Sequence, residues 1–113
     1  LNARERAVLD GLLQFDHPGV EALREHAATA RVRRSCACGC PSIGFERDDT
    51  DAVDERPWLW PASGWRKQGP VEVILFVRDG SLAEMELVTY DGETPGEWPD
   101  ASEFTFSAGS WLS

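Results

Sequence analysis

Val71-Glu72-Val73-Ile74-Leu75-Phe76-Val77-Arg78-Asp79-Gly80-Ser81-Leu82-Ala83-Glu84-Met85-Glu86-Leu87-Val88-Thr89 is the stretch that decides the fold. Val71, Val73, Leu75 and Val77 alternate with Glu72, Ile74, Phe76 and Arg78, the period of a strand. Asp79-Gly80 is a strong two-residue hairpin signal. Beyond it, Ala83, Met85, Leu87 and Thr89 are expected to face inward, and Leu82, Glu84, Glu86, Val88 and Tyr90 outward. Ile74 and Phe76 make the first of these strands apolar on both faces. The hairpin is therefore expected at the centre of a sheet.

Upstream, the period changes. Asn2 followed by Glu5 reads as a helix cap with its reciprocal acid. Val8, Leu9, Leu12 and Leu13 then share one helical face, to about Gln14. Asp16-His17-Pro18-Gly19 is a break and a restart. Asp16 or His17 can cap, and Pro18 suits a first turn. Val20, Leu23 and Ala27 stripe a second helix that runs to about Ala28. Strand alternation returns from Ala30 to Cys38 and again at Ile43 and Phe45, a second hairpin turning near Gly39.

Between the hairpins lies Asp48 to Glu55, an acidic loop, followed by Pro57-Trp58-Leu59-Trp60-Pro61 and Ser63-Gly64-Trp65. Two prolines and a glycine argue against regular structure there. After Asp91-Gly92, Thr94 to Asp100 reads as loop, and Phe104 and Phe106 suggest a short last strand. The fold class is α+β: two N-terminal helices on an antiparallel sheet of about four strands in two hairpins. At 113 residues this is one domain, 1–113, with a helical part over 1–29 and the hairpins, the acidic and Trp-rich loop and the tail over 30–113.

Charge narrows the partners. The net charge is −9, and residues 48–113 hold fourteen acids against four bases. Phosphate backbones and anionic membrane surfaces repel such a chain, so neither nucleic acid nor membrane is expected as a partner. A basic protein is attracted, although acidity alone also serves solubility. The longest apolar run, Val73 to Val77, is far short of the ~20 residues of a membrane helix. The chain opens on Leu1 with no basic-then-apolar leader, so a cytoplasmic setting with reduced thiols is expected.

Cys36-Ala37-Cys38-Gly39-Cys40-Pro41 is the sharpest chemical feature. Thiolates suit Zn²⁺ or Cu(I), with His17 or His26 as a fourth ligand. Against this, alternate residues of a strand recur at ~6.6 Å. Zinc–sulfur bonds of ~2.3 Å need the three sulfurs to converge, so the segment must curl at Gly39. Small buried cysteines packed as hydrophobes are the commoner explanation. Arg31, Arg33 and Arg34 lower nearby thiol pKa values and make redox chemistry a further option. The acidic loop does not fit a calcium hand, because counting from Asp49 places Trp60 at the closing glutamate position. No G-x-S-x-G elbow and no glycine-rich phosphate loop is present, so nothing specific points to an enzyme.

Phe15-Asp16-His17-Pro18-Gly19-Val20-Glu21-Ala22-Leu23-Arg24, Cys36-Ala37-Cys38-Gly39-Cys40-Pro41-Ser42 and Val77-Arg78-Asp79-Gly80-Ser81-Leu82 together resemble a family of small uncharacterised proteins of high-GC bacteria. The resemblance implies an origin and brings no activity, cofactor or catalytic residue. The expected function is non-enzymatic: a protein-binding or regulatory domain, immunity- or antitoxin-like, using Trp58, Trp60, Trp65, Asp48, Asp49 and Asp51 toward a basic partner, with no cofactor. The alternative is a zinc- or copper-binding or thiol-redox protein using Cys36, Cys38, Cys40 and His17.

Overall fold

The computed structural model describes residues 1–35, 41–46, 58–78, 81–90 and 95–108. Along the chain come α1 (Ala3–Leu12), α2 (Val20–Thr29), β1 (Val32–Ser35), β2 (Ile43–Phe45), β3 (Trp58–Arg66), β4 (Val71–Arg78), β5 (Ser81–Thr89), a 3₁₀ turn (Ala101–Glu103) and β6 (Thr105–Ala108). All strand pairs are antiparallel, and the order across the sheet is β1-β2-β5-β4-β3-β6. The fold is α+β, with both N-terminal helices packed against one face of a six-stranded sheet.

The central hairpin forms as its alternation dictates. Val71, Val73, Leu75 and Val77 are buried on the helix side, opposite Thr89, Leu87, Met85 and Leu82. Leu82 thus faces inward, not outward. A bulge between Phe76 and Val77 shifts the register and turns both Leu82 and Ala83 into the interior.

The Trp-rich stretch is not a loop but the nine-residue strand β3, and with β6 it raises the strand count to six. Its prolines and glycine are accommodated for separate reasons. Leu59 faces Phe76 and Ser63 faces Ile74, so four steps on β3 match two on β4. Pro61 sits inside that bulge, where the ladder is already interrupted and its missing N–H costs no bond. Gly64 is required by close approach. A Cβ there would lie 2.6 Å from Val73 Cγ1 and 2.9 Å from the Phe106 ring. On α1, a Cβ on Gly11 would lie 2.5 Å from the same ring. Two glycines on two elements therefore form the seat that docks edge strand β6 under α1.

The helices are held at their ends as well as by their apolar faces. In α1, Asn2 accepts from the Glu5 N–H at 2.8 Å and its own N–H donates to the Glu5 carboxylate at 2.9 Å, the expected reciprocal cap. In α2 the cap is Gly19, at φ 89°, and neither Asp16 nor His17 caps. Glycine alone enters that left-handed backbone without strain, so the chain restarts one residue beyond Pro18. The last carbonyls of α1 are claimed by side chains. Gln14 Nε2 donates to Gly11 O at 2.8 Å, Trp60 Nε1 to Leu12 O at 3.1 Å and Arg24 Nε to Leu13 O at 2.9 Å. Arg6 does the same for α2, donating to Ala27 O at 2.9 Å.

His26 pins α2 to the sheet. Its Nδ1 accepts from the Leu82 N–H at 2.9 Å, and its Nε2 lies 3.2 Å from the Glu46 carbonyl. A backbone N–H only donates and a carbonyl only accepts, so these two partners fix the neutral tautomer with the proton on Nε2. His26 is half-buried.

Two outcomes follow from this packing. Gly11→Ala lowers stability by about 1–3 kcal/mol through overpacking, and becomes stabilising by up to ~1 kcal/mol in a Phe106→Ala background, where only helix propensity remains. Urea midpoints of the four proteins give that sign reversal. His26→Ala leaves the Leu82 N–H and the Glu46 carbonyl without their side-chain partner and costs about 1–3 kcal/mol, with faster hydrogen exchange at Leu82 as the local signature.

Candidate functional site

The face of the sheet away from the helices is set by register alone. Paired residues of antiparallel strands share a face, which places three lateral rows there. Gly44, Glu84, Phe76 and Leu59 form the first. Glu86, Ile74, Ser63 and Ser107 form the second, and Val88, Glu72, Trp65 and Thr105 the third. Each row thus holds one carboxylate, Glu84 and Glu86 on β5 and Glu72 on β4, beside apolar side chains. Leu59 is 48% exposed and Trp65 44%. Tyr90, 59% exposed, lies one step beyond Thr89 and two beyond Val88, bordering the third row.

The third row is tied together. The Trp65 and Tyr90 ring centroids are 5.8 Å apart with the planes inclined at 55°. The Tyr90 hydroxyl donates to Glu72 Oε1 at 2.7 Å. That bond holds the proton on the phenol and raises the Tyr90 pKa, with burial and the Glu72 charge acting in the same direction. In the second row, burial and then the neighbouring Glu84 charge raise the Glu86 carboxyl above its ordinary value. Glu84 and Glu86 are two residues apart on one strand, so they project side by side.

The tryptophans expected to act together are separated. Trp60 is buried at 2% exposure and belongs to the core, beneath the end of α1. Trp58 is 43% exposed but stands opposite Val77, on the helix-side register. Its ring is tilted against Trp60 at 6.5 Å. Trp65 lies on the other face and near the other end of the strand. The segment that holds all three lies within the sheet as β3.

His17 is half-buried, with its ring edge-on to Trp60 at 5.1 Å and its Nδ1 3.4 Å from the Pro18 carbonyl. The expectations for Cys36, Cys38 and Cys40 and for Asp48, Asp49 and Asp51 fall outside the described residues. Among the described residues, no group of three His, Cys, Asp or Glu is placed to hold a metal ion, and no helix is long and apolar enough to cross a membrane.

Two surface cavities flank α2. One, of about 310 Å³, is lined by His26, Thr29, Arg31 and Glu46. The other, of about 320 Å³, runs between the helices past Arg6, Asp10, Gln14 and Arg24. The bonds already described engage both His26 nitrogens, and Arg6 and Arg24, on backbone groups. These polar groups therefore serve the fold.

Sequence reasoning missed Leu59, Tyr90 and the row structure. Strand parity already places Tyr90 and Glu72 outward, but the pairing of Trp65 with Glu72 needs β3 to be read as a strand. Compared with protein-family models, with curated proteins and with solved structures, the chain matches none.

The Glu86 environment gives a pH signature. A raised folded-state pKa means that the folded chain binds this proton more tightly than the unfolded chain. That contribution is fully present below the ordinary value of 4.5 and is lost as pH rises through the folded value. Glu86→Gln accordingly raises the denaturation midpoint at pH 7, and the gain shrinks toward zero near pH 4.

Proposed function

We propose that this chain is a non-enzymatic protein-binding or regulatory domain, immunity- or antitoxin-like in character, and that its partner is a basic protein. The observation that carries this reading is the sheet face that no other element among the described residues covers. It sets exposed Trp65, Tyr90 and Leu59 among the carboxylates of Glu72, Glu84 and Glu86. Aromatic side chains supply contact area at low entropic cost, and they dominate interface energetics where they become desolvated. Carboxylates around them favour a partner of opposite charge and speed its approach. Burial first and the Glu84 charge second raise the Glu86 pKa, and an incoming cation offsets the second of these. The net charge of −9 adds long-range attraction.

The face rather than the acidic loop is the proposed contact, with Trp65 the one member of the expected tryptophan set that lies on it. The test is affinity capture from cells of the source organism, using the wild-type chain beside the triple variant Glu72→Gln, Glu84→Gln, Glu86→Gln. The expected result is a basic protein retained by wild type, released by raised salt as surface attraction is screened, and absent with the triple variant. Retention of the same proteins by both chains, or of no basic protein by either, overturns the proposal. Thermal midpoints of both chains, each above the capture temperature, exclude unfolding as the cause of any loss.

A further inference from the structure

We infer that Trp65, Tyr90 and Glu72 form a subsite for the guanidinium group of an arginine side chain presented by a protein partner. The inference rests on the binding reading above and names the chemistry that one part of the face selects. Three observations converge at this place. Two exposed aromatic rings stand 5.8 Å apart at 55°, forming an open wedge rather than a stacked pair. A carboxylate lies against that wedge, positioned by the 2.7 Å bond from the Tyr90 hydroxyl to Glu72 Oε1. The register places Trp65 directly opposite Glu72 on the neighbouring strand.

This is the donor and acceptor pattern of a cation site made of aromatic faces and a charge. The faces of tryptophan and tyrosine carry negative potential and attract a cation within about 6 Å of the ring centroid. A carboxylate that accepts one hydrogen bond from tyrosine keeps lone pairs for further donors. A guanidinium is planar, so it can lie flat on one ring while its edge N–H groups point to the carboxylate. An ammonium has the charge but neither the plane nor the fork, and it is more strongly hydrated. The geometry therefore favours arginine over lysine at equal charge.

Arg66, next to Trp65 in the chain, does not fill the wedge. It projects to the opposite face, where its Nη1 lies 3.3 Å from Glu103 Oε1 and its Nη2 donates to Gly69 O at 3.3 Å. The other members of the row, Val88 and Thr105, carry no charge.

The test uses the full chain and two peptides of equal charge, acetyl-(Gly-Arg)₄-amide and acetyl-(Gly-Lys)₄-amide, titrated at low salt. The reading is the ratio of their dissociation constants and the indole N–H resonance of Trp65, identified by its loss in Trp65→Phe. Wild type should bind the arginine peptide about threefold or more tightly than the lysine peptide, the fold-change that a surface cation–π contact supplies, with the Trp65 resonance shifting. Trp65→Leu keeps an apolar side chain without the ring and should bring the ratio to one, as should Trp65→Ala. Glu72→Gln should weaken the arginine peptide more than Glu97→Gln, which removes the same charge from an exposed residue outside the rows. Equal affinities in wild type, or a preference that survives in Trp65→Leu, overturn the subsite. A basic partner captured by a chain that shows no arginine preference refutes this inference alone. An arginine preference in a chain that captures no basic protein refutes the broader reading and leaves the subsite standing.

Discussion

The indole of Trp60 is the joint on which the architecture turns. It leaves β3 beside a bulge, passes under the C-terminal end of α1 and donates to the Leu12 carbonyl. A helix end has unsatisfied carbonyls, and burying them without partners is costly. Placing the donor on a strand solves that problem and fixes where α1 lies on the sheet in the same contact. Arg24 then reaches Leu13 and Phe15 from α2, so the corner between the helices is bound from both sides. With the helices committed to one face, the other face is left to Glu72, Ile74, Phe76, Glu84, Glu86 and their neighbours on β3.

That division separates two kinds of chemistry. The helix side is apolar, with Val73, Leu75, Val77, Leu82 and Met85 at 0% exposure and the Trp60 indole among them. The open side mixes aromatic surface with carboxylates at a period set by the pleat. The same alternation that builds the core therefore writes the partner surface. Its regularity follows from pairing geometry and involves no irregular loop among the described residues.

How much of this was legible in the sequence follows the kind of signal involved. The β4–β5 hairpin and both helices were readable, because periodicity and an Asp-Gly turn are local. The inward turn of Leu82 was not, since a bulge reverses parity without leaving a residue signature. β3 was hidden by Pro61 and Gly64. Proline is compatible with a strand only where the ladder is broken, and that break is visible only once β4 is paired beside it. Gly64 reads as a loop residue until Phe106 is seen to need the space. The site was legible in its residue types and not in its grouping. Trp58, Trp60 and Trp65 share one short segment, yet alternation and the bulge send them to the exposed end of the helix-side register, to the core and to the face away from the helices. Tyr90 joins Trp65 through a pairing of three strands that no local pattern announces.

Strand β4 also carries a hazard, and the order of the sheet contains it. Val71 to Val77 is an apolar, β-prone run with a single charge, the kind of segment that self-associates when its edges are bare. It lies in the interior of the sheet, between β3 and β5. Both neighbours adjoin it in sequence, so its two edges close through short-range pairing before the more distant β2 and β6 must arrive. Among the described residues, the outermost strands are β1 and β6, four residues each, with Thr105 and Ser107 polar and exposed on β6. Short polar rims offer little template for edge-to-edge growth. A chain whose stickiest strand lies innermost is thereby protected from aggregation by its connectivity.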